Sequence, residues 1–431
     1  MERLDDYYGR IFTEDQLKEE LREFAKILPA VNHFTNSRIC NRCGSQIAAE
    51  NKLPDGSFYC RECIILGRNS SGALYYFEQK PFPEGKVLKW QGSLTDLQKE
   101  VSDSLKIGVE QKENLLIHAV TGAGKTEIIY ETVASVLDKG GAVALASPRI
   151  DVCLELYKRF KNDFSCSISL LHGESEPYSR SPLVILTTHQ LLKFYKAFDL
   201  LIIDEVDAFP FVDNPSLYYA VEQSVKADGV NVFLTATSTE QLDKQVKKGK
   251  LKKLHLARRF HASPLVVPKT VWLYLALEKL QRGKLPFKLL RIIKEQRQSQ
   301  FPLLIFFPVI KLGELFSRCL KNYFLDEKIA FVSSMTENRL EIVEKFRKGQ
   351  ITVLISTTIL ERGVTFPFVD VFVMMANHYL FTKSSLIQIA GRVGRSAERP
   401  TGTLLFFHSG KTKSIRKAIS EIRRMNQIGG F

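Results

Sequence analysis

Residues Asn114 to Leu137 read NLLIHAVTGAGKTEIIYETVASVL, and this stretch decides the fold. The opening apolar run has the length of a strand buried on both faces, and the closing segment has the length and mixed composition of a helix. Between them lies a loop of small residues, Thr121, Gly122, Ala123 and Gly124, whose backbone can wrap an anion that bulkier side chains would exclude. A helix beginning there points the positive end of its dipole at the same anion. Lys125 is placed to reach the β- and γ-phosphates of a nucleoside triphosphate, and Thr126 to supply a hydroxyl to Mg²⁺. The first position of the pattern G-x-x-x-x-G-K-[ST] is Ala119 rather than Gly, a residue still small enough for a tight loop.

Outward from this segment the same texture recurs. AVALAS, LVILTT, LLIID and VFLTAT follow, and after a basic middle come LLIFFP, IAFVSS, VLISTT, VFVMM and TLLFF. Continuous apolar runs of this length predict parallel strands covered by helices on both faces. With five runs on each side of residues 240–300, the expectation is an α/β fold of two similar domains in tandem. The turn-rich FEQKPFPEGK sets a boundary near residue 84. Before it, TEDQLKEELREFAKIL has a capping-box spacing at Thr13 and Gln16. Leu17, Leu21, Phe24 and Leu28 are then spaced for one helical face, which predicts an N-terminal helix ending at Pro29.

The run DLLIIDEVDAF ends a buried strand in Asp204 and Glu205, which places both carboxylates at the carboxyl edge of the sheet, where ligands bind in such folds. Asp204 suits Mg²⁺, and Glu205 suits positioning or deprotonating the attacking water. In the second half, QIAGRVGR spaces Arg392 and Arg395 three residues apart, on one face if helical. Guanidinium groups set against a γ-phosphate would stabilise transition-state charge.

Net charge bears on the partner. Lys and Arg number 61 against 47 Asp and Glu, for a net +14, with the surplus in stretches such as KQVKKGKLKKLHLARR and KTKSIRKAISEIRR. Such a balance favours polyanions through counterion release. No apolar run approaches the length of a membrane span, and MERLDDYYGR lacks the apolar core of a signal peptide, so the expected location is cytoplasmic. Of seven cysteines, Cys153, Cys166 and Cys319 fall in apolar-periodic segments and read as core residues. The other four form CNRC and CREC, with sixteen residues between the pairs. Cys40, Cys43, Cys60 and Cys63 therefore have the spacing of a closed tetrathiolate Zn²⁺ site, with no open position for Lewis-acid catalysis. Such a site is either a structural staple or a docking surface for DNA or a partner.

GAGKT, DEVD, TATS, STTILERG and QIAGRVGR, in this order and at these separations, resemble the ordered motifs of superfamily 2 helicases and translocases. That resemblance implies two RecA-like domains with parallel sheets and ATP with Mg²⁺ as cofactor. It assigns Gln98 to adenine and Thr121, Gly122, Ala123, Gly124, Lys125, Thr126 and Asp204 to the nucleotide and its metal. Lys125, Asp204, Glu205, Gln388, Arg392 and Arg395 are the implied catalytic set. Pro148, Arg149, Thr188 and His189 are implied strand contacts in the first domain; Thr235 and Thr237 would couple ATP to the strand, with Thr357, Thr358 and Arg362 responding from the second. With the four-Cys module in front, the chain resembles the ComFA family of late competence proteins. The domains implied are 1–84, an N-terminal helix and Cys₄ zinc-binding module, 85–262 and 263–431. The resemblance implies ATP-driven movement on single-stranded DNA during uptake of transforming DNA. Implied partners are ComFC, DprA and the channel ComEC, reached at the inner face of the membrane through protein contacts. Two alternatives stand beside it: another superfamily 2 DNA or RNA remodeller, with a PriA-like restart helicase the nearest, and a zinc-stabilised binding protein using NTP as a switch.

Overall fold

Leu115–Ala119, the strand that leads into the phosphate loop, is buried at every residue, and the strands around it are built alike. The computed structural model describes residues 4–34, 37–70, 72–362 and 365–431. It divides into two compact units, one of Met1–His118 with Lys125–His255 and the other of Ala119–Gly124 with Leu256–Phe431. In the first, seven strands lie in the order Ile168–Leu171, Leu183–Thr187, Val143–Ser147, Phe198–Ile203, Val225–Thr235, Leu115–Ala119 and Lys252–Leu256. Pairing is parallel from Ile168–Leu171 through to Leu115–Ala119. The second unit carries six strands, Lys269–Trp272, Leu404–His408, Asp370–Val373, Leu303–Phe306, Val353–Ser356 and Ile329–Val332, parallel throughout. These are two RecA-like domains.

All ten apolar runs are strands. Three further strands, Ile168–Leu171, Lys252–Leu256 and Lys269–Trp272, escape the apolar pattern, and each is an edge of its sheet. An edge strand is covered on fewer sides, so it tolerates polar residues such as Lys252, Lys253 and Lys269 that also discourage pairing with another chain. Among the described residues no helix is long and apolar enough to cross a membrane.

The expected N-terminal helix is replaced by other structure. Gln16 does accept from the Thr13 N–H at 3.2 Å, but the box closes only a 3₁₀ turn, Glu14–Gln16. One helical turn, Glu19–Arg22, follows, and then Lys26–Pro29 turns extended and pairs antiparallel with Ala73–Tyr76. Ala73–Tyr76 also pairs with Ile11–Thr13, making a three-stranded sheet. The helical stripe is split by this: Leu17 joins a buried cluster with Tyr7, Phe12, Tyr75 and Phe77, whereas Phe24 stays exposed. Ladder hydrogen bonds to a strand some 45 residues away outweighed a local propensity worth a few tenths of a kcal/mol per residue, roughly.

The four cysteines pack into the same hydrophobic cluster as the first unit's sheet residues. CNRC docks on the helix Pro215–Ser224, where Ser45 and Ser216 share a hydroxyl hydrogen bond of 2.8 Å and the Tyr219 hydroxyl donates to the Asn41 carbonyl at 3.2 Å. Gly44, at φ +72°, permits this contact, because a Cβ there would stand 2.6 Å from the Tyr219 ring. Gly349 has the same φ and nothing within reach of an added Cβ. Gly349→Ala is therefore expected to cost about 1 kcal/mol for its left-handed backbone alone. Gly44→Ala should cost at least about 1 kcal/mol more from the clash, read as a lower urea midpoint.

Candidate functional site

Three neighbouring strands of the first sheet deliver their chemistry at their carboxyl ends. Leu115–Ala119 leads to the phosphate loop, Val225–Thr235 to Thr237, and Phe198–Ile203 to Asp204 and Glu205. Lys125 Nζ donates to Asp204 Oδ1 at 2.8 Å, with the side chains only 21% and 16% exposed. Burial opposes charge on Lys125, but Asp204 and then Glu205 outweigh it, and its pKa is raised. The cavity that both line holds about 10 Å³. A magnesium nucleotide would therefore have to part this ion pair, giving Lys125 phosphate oxygens and Asp204 a cation in exchange. The segment after Lys125 begins as a 3₁₀ turn, Glu127–Ile129, before the α-helix Tyr130–Leu137.

Glu205 sits at φ +56°, a left-handed conformation that side chains other than glycine adopt at a cost of about 1–3 kcal/mol and that collects at functional positions. Its N–H donates to Asp204 Oδ1 at 2.8 Å. The fourth residue of DEVD, Asp207, had no role in the motif reading. It is buried and accepts hydrogen bonds from Thr235 Oγ1 at 2.9 Å and from Thr237 Oγ1. The Thr237 N–H in turn donates to Thr235 Oγ1 at 3.0 Å. One carboxylate thus ties the acidic motif to TATS. Its signal in the sequence was an acid set among Val206, Ala208 and Phe209, where an unpaired charge would be costly.

Other assigned residues of this unit have local partners. Gln98 Oε1 accepts from Thr95 N and Oγ1, at 2.9 and 3.1 Å, and closes the N-terminus of the helix Asp96–Glu110. Arg149 makes a two-pronged contact with Asp151 at 3.0 and 2.8 Å beside the half-buried Pro148. Thr188 is fully buried, while His189 next to it is exposed.

In the second unit, Gly122 and Gly124 both lie at φ +80°, which lets the loop turn twice within three residues around Ala123. The Phe260 N–H donates to the Gly122 carbonyl at 3.1 Å, and the Thr121 hydroxyl lies 3.4 Å from the Gly391 carbonyl. Gln388 is buried in the helix Lys383–Ala390. That helix ends before both arginines, so Arg392 and Arg395 do not share a helical face as the spacing suggested. Gly394, at φ +69°, turns the chain between them. Arg392 is buried with its guanidinium 5.9 Å from the centre of the Phe366 ring. Arg395 Nε donates to the Gly391 carbonyl, and its Nη1 to Thr365 Oγ1, both at 3.1 Å. Thr357 and Arg362 are buried, and Thr358 opens the turn Thr358–Leu360. Arg362 Nη2 donates to Ser384 Oγ at 3.1 Å, whereas Gly363, the last residue of STTILERG, lies outside the described residues.

Arg259 was also missed. It is 2% exposed and donates to the carbonyls of Val393 at 2.8 Å, Gly391 at 3.2 Å and Gly394. Burial, then the charge of Arg395, pushes its pKa down to about 9. A run of basic residues, KKLHLARR, hid the one that turns inward.

The sulfur atoms of Cys40, Cys43, Cys60 and Cys63 all lie within 4.8 Å of one another, with 3.7 Å between Cys40 and Cys63 and 3.4 Å between Cys43 and Cys60. A tetrahedral zinc thiolate needs about 3.8 Å between sulfurs at a Zn–S length of about 2.3 Å. Asn69 Nδ2 donates to Cys40 Sγ at 3.0 Å, an outer contact of the kind that would orient a sulfur holding a metal. The donor set fits Zn²⁺.

Residues 95–245 match the family model "DEAD/DEAH box helicase" and residues 285–397 match "Helicase conserved C-terminal domain". The chain is 60% identical over 427 residues to Competence protein ComFA of Streptococcus pneumoniae, covering 99% of each. It is 39% identical to Competence protein ComFA of Bacillus subtilis, over 90% of this chain and 86% of that one. Among solved structures, Mycobacterium smegmatis helicase Lhr bound to single-stranded DNA and AMP-PNP aligns with a TM-score of 0.53 and 16% identity, over 78% of this chain and 50% of that one. Dbp5 of S. cerevisiae bound to RNA and ADP BeF3 aligns at 0.51 and 16%, over 77% and 92%. At such identities the likeness is one of fold. Two variants separate binding from coupling. Lys125→Ala is expected to lower ATP hydrolysis by at least about 100-fold. Asp207→Asn should keep nucleotide affinity within about threefold while polynucleotide-stimulated turnover falls about tenfold or more, on losing a charge-assisted hydrogen bond. Steady-state ATPase and fluorescent-nucleotide titration check both.

Proposed function

The chain belongs to the ComFA family of competence proteins and is an ATP-hydrolysing enzyme of the helicase and translocase class, and from that premise we propose that it moves along single-stranded DNA during uptake of transforming DNA. The observation that carries this reading is the Asp207 clamp on Thr235 and Thr237, a direct connection from the Mg²⁺-side carboxylates to the coupling threonines. ATP would bind through Thr121 to Thr126, with Lys125 on the phosphates, Thr126 and Asp204 on Mg²⁺ and Glu205 on the water. Gln98 would face adenine, and Gln388, Arg392 and Arg395 would answer the γ-phosphate. Pro148, Arg149, Thr188, His189, Thr357, Thr358 and Arg362 would meet the strand.

A polyanion partner is supported by a groove in the second unit lined by Lys269, Lys411, Arg416, Arg423 and Arg424, with no carboxylate in its wall. A strand laid on such surfaces displaces counterions, so affinity falls steeply with salt. Zn²⁺ held by Cys40, Cys43, Cys60 and Cys63 would supply folding energy to the N-terminal region rather than chemistry, since four thiolates leave no coordination site open. ComFC, DprA and ComEC are the protein partners this reading names, met at the inner face of the membrane by a cytoplasmic chain.

The deciding experiment is ATP turnover against single-stranded DNA, duplex DNA and RNA at several salt concentrations. Stimulation of about tenfold or more is expected with single-stranded DNA and little with RNA. Equal stimulation by RNA would sink the DNA reading in favour of a general remodeller. For the metal, purified protein should carry about one zinc per chain, and Cys40→Ser should lose it and unfold at a lower temperature. Zinc content by atomic emission and thermal melts check this.

A further inference from the structure

A cavity of about 460 Å³ lies in the first unit, where the N-terminal sheet meets the loops at one edge of the seven-stranded one. Its wall brings together Arg10, Arg42 and Lys193 with the rings of Tyr7, Phe12, Tyr178 and Phe194. Arg10 precedes the strand Ile11–Thr13, Arg42 stands inside CNRC, and Lys193 ends the turn Thr188–Lys193. None of them belongs to the nucleotide or strand sets assigned above.

Arg42 is 1% exposed and donates to the carbonyls of Leu192 at 3.3 Å and Gly67 at 3.2 Å. The Arg10 guanidinium sits 4.6 Å from the centre of the Phe12 ring and 5.2 Å from that of Tyr178. Its Nε is buried without a hydrogen-bond partner among the described residues, and the Tyr178 hydroxyl, with the Ser181 backbone beside it, has its pKa pushed up by burial to about 12. Of the two carboxylates in the wall, Asp6 accepts from the Arg180 backbone N–H at 2.7 Å and offsets part of the Arg10 charge, while Glu176 is exposed. Burial, then Arg10 and Arg42, lower the pKa of Lys193. Arg42 has the cysteine sulfurs beside it, whereas Arg10 and Lys193 repel one another, and an anion in the cavity relieves that repulsion.

We propose that this cavity binds a phosphorylated nucleoside, the phosphate among Arg10, Lys193 and the Tyr178 hydroxyl and the base against the aromatic wall. The size suits one nucleotide, charged donors suit a phosphate, and ring faces accept any base. The nucleotide is either one unit of a DNA strand or free. The site is separate from the ATP residues, so its occupancy needs no hydrolysis.

The test uses the full chain without ATP and two probes, thymidine 5′-monophosphate by calorimetry and a 3′-fluorescein oligothymidylate by anisotropy across a salt series. Arg10→Gln/Lys193→Gln should weaken at least one probe about tenfold or more. Loss with the oligonucleotide alone, with a salt slope smaller by about 0.7 per phosphate, identifies a strand unit; loss with the monophosphate alone identifies a free nucleotide. Lys193→Arg keeps the charge and leaves the ring-stacked Arg10 in place, and should bind within about threefold of the parent. Tyr178→Phe keeps the ring, should melt with the parent and should weaken the same probe, which guards against a misfolded double variant. Equal binding of both probes by the parent, the charge-removed variant and Tyr178→Phe overturns the proposal. Failure of any strand to stimulate ATP turnover would instead strike the translocase reading and leave the monophosphate titration standing.

Discussion

A strand covered on both faces can show polar groups only where it ends, and this constraint arranges the ATP-side residues of the first unit. Phe198–Ile203, Val225–Thr235 and Leu115–Ala119 are adjacent and parallel, so the segments leaving them emerge on one edge. Lys125 and Asp204, 79 residues apart in sequence, become an ion pair at 2.8 Å through that adjacency. The middle strand sends out the threonines that Asp207 grips. Sheet order thus decides which side chains share a site.

Charge buried in such a place has to be answered. Lys125 is answered by Asp204, and Asp207 by two hydroxyl groups; Arg259, with no carboxylate at hand, is answered by backbone carbonyls of the 391–394 turn. Each is a charge-assisted contact stronger than a neutral hydrogen bond, and each pins a loop rather than a helix or strand. The left-handed backbone at Glu205 is held by such surroundings, with its own N–H on Asp204.

The four-cysteine cluster follows the same logic elsewhere in the first unit. Its four sulfurs are buried within one hydrophobic cluster that also contains sheet residues, and CNRC sits on Pro215–Ser224 through Ser45 and Tyr219. The N-terminal region gains a core by sharing one. Arg42, lodged between Cys40 and Cys43, reaches out to Leu192 and lines the cationic cavity, so the CNRC turn also places a side chain.

By itself the sequence determined whatever depends on local pattern: ten apolar runs as strands, the glycine loop with Lys125 and Thr126, the acids ending LLIID, and four cysteines at metal spacing. Each is a short-range requirement, of burial, loop curvature or ligand geometry, written in neighbouring residues. The tertiary structure decided what depends on partners far along the chain. Edge strands Ile168–Leu171, Lys252–Leu256 and Lys269–Trp272 could depart from the apolar pattern because an edge tolerates polar residues, though the fourth edge, Ile329–Val332, keeps it. The stripe from Leu17 to Leu28 broke because Lys26–Pro29 found a strand to pair with. Asp207 and Arg259 took their places from contacts no spacing rule records, whereas Gln98 closes a local capping box with Thr95. The cavity of Arg10, Arg42 and Lys193 draws on three separate segments, and electrostatic fit among them exists only once the chain has folded.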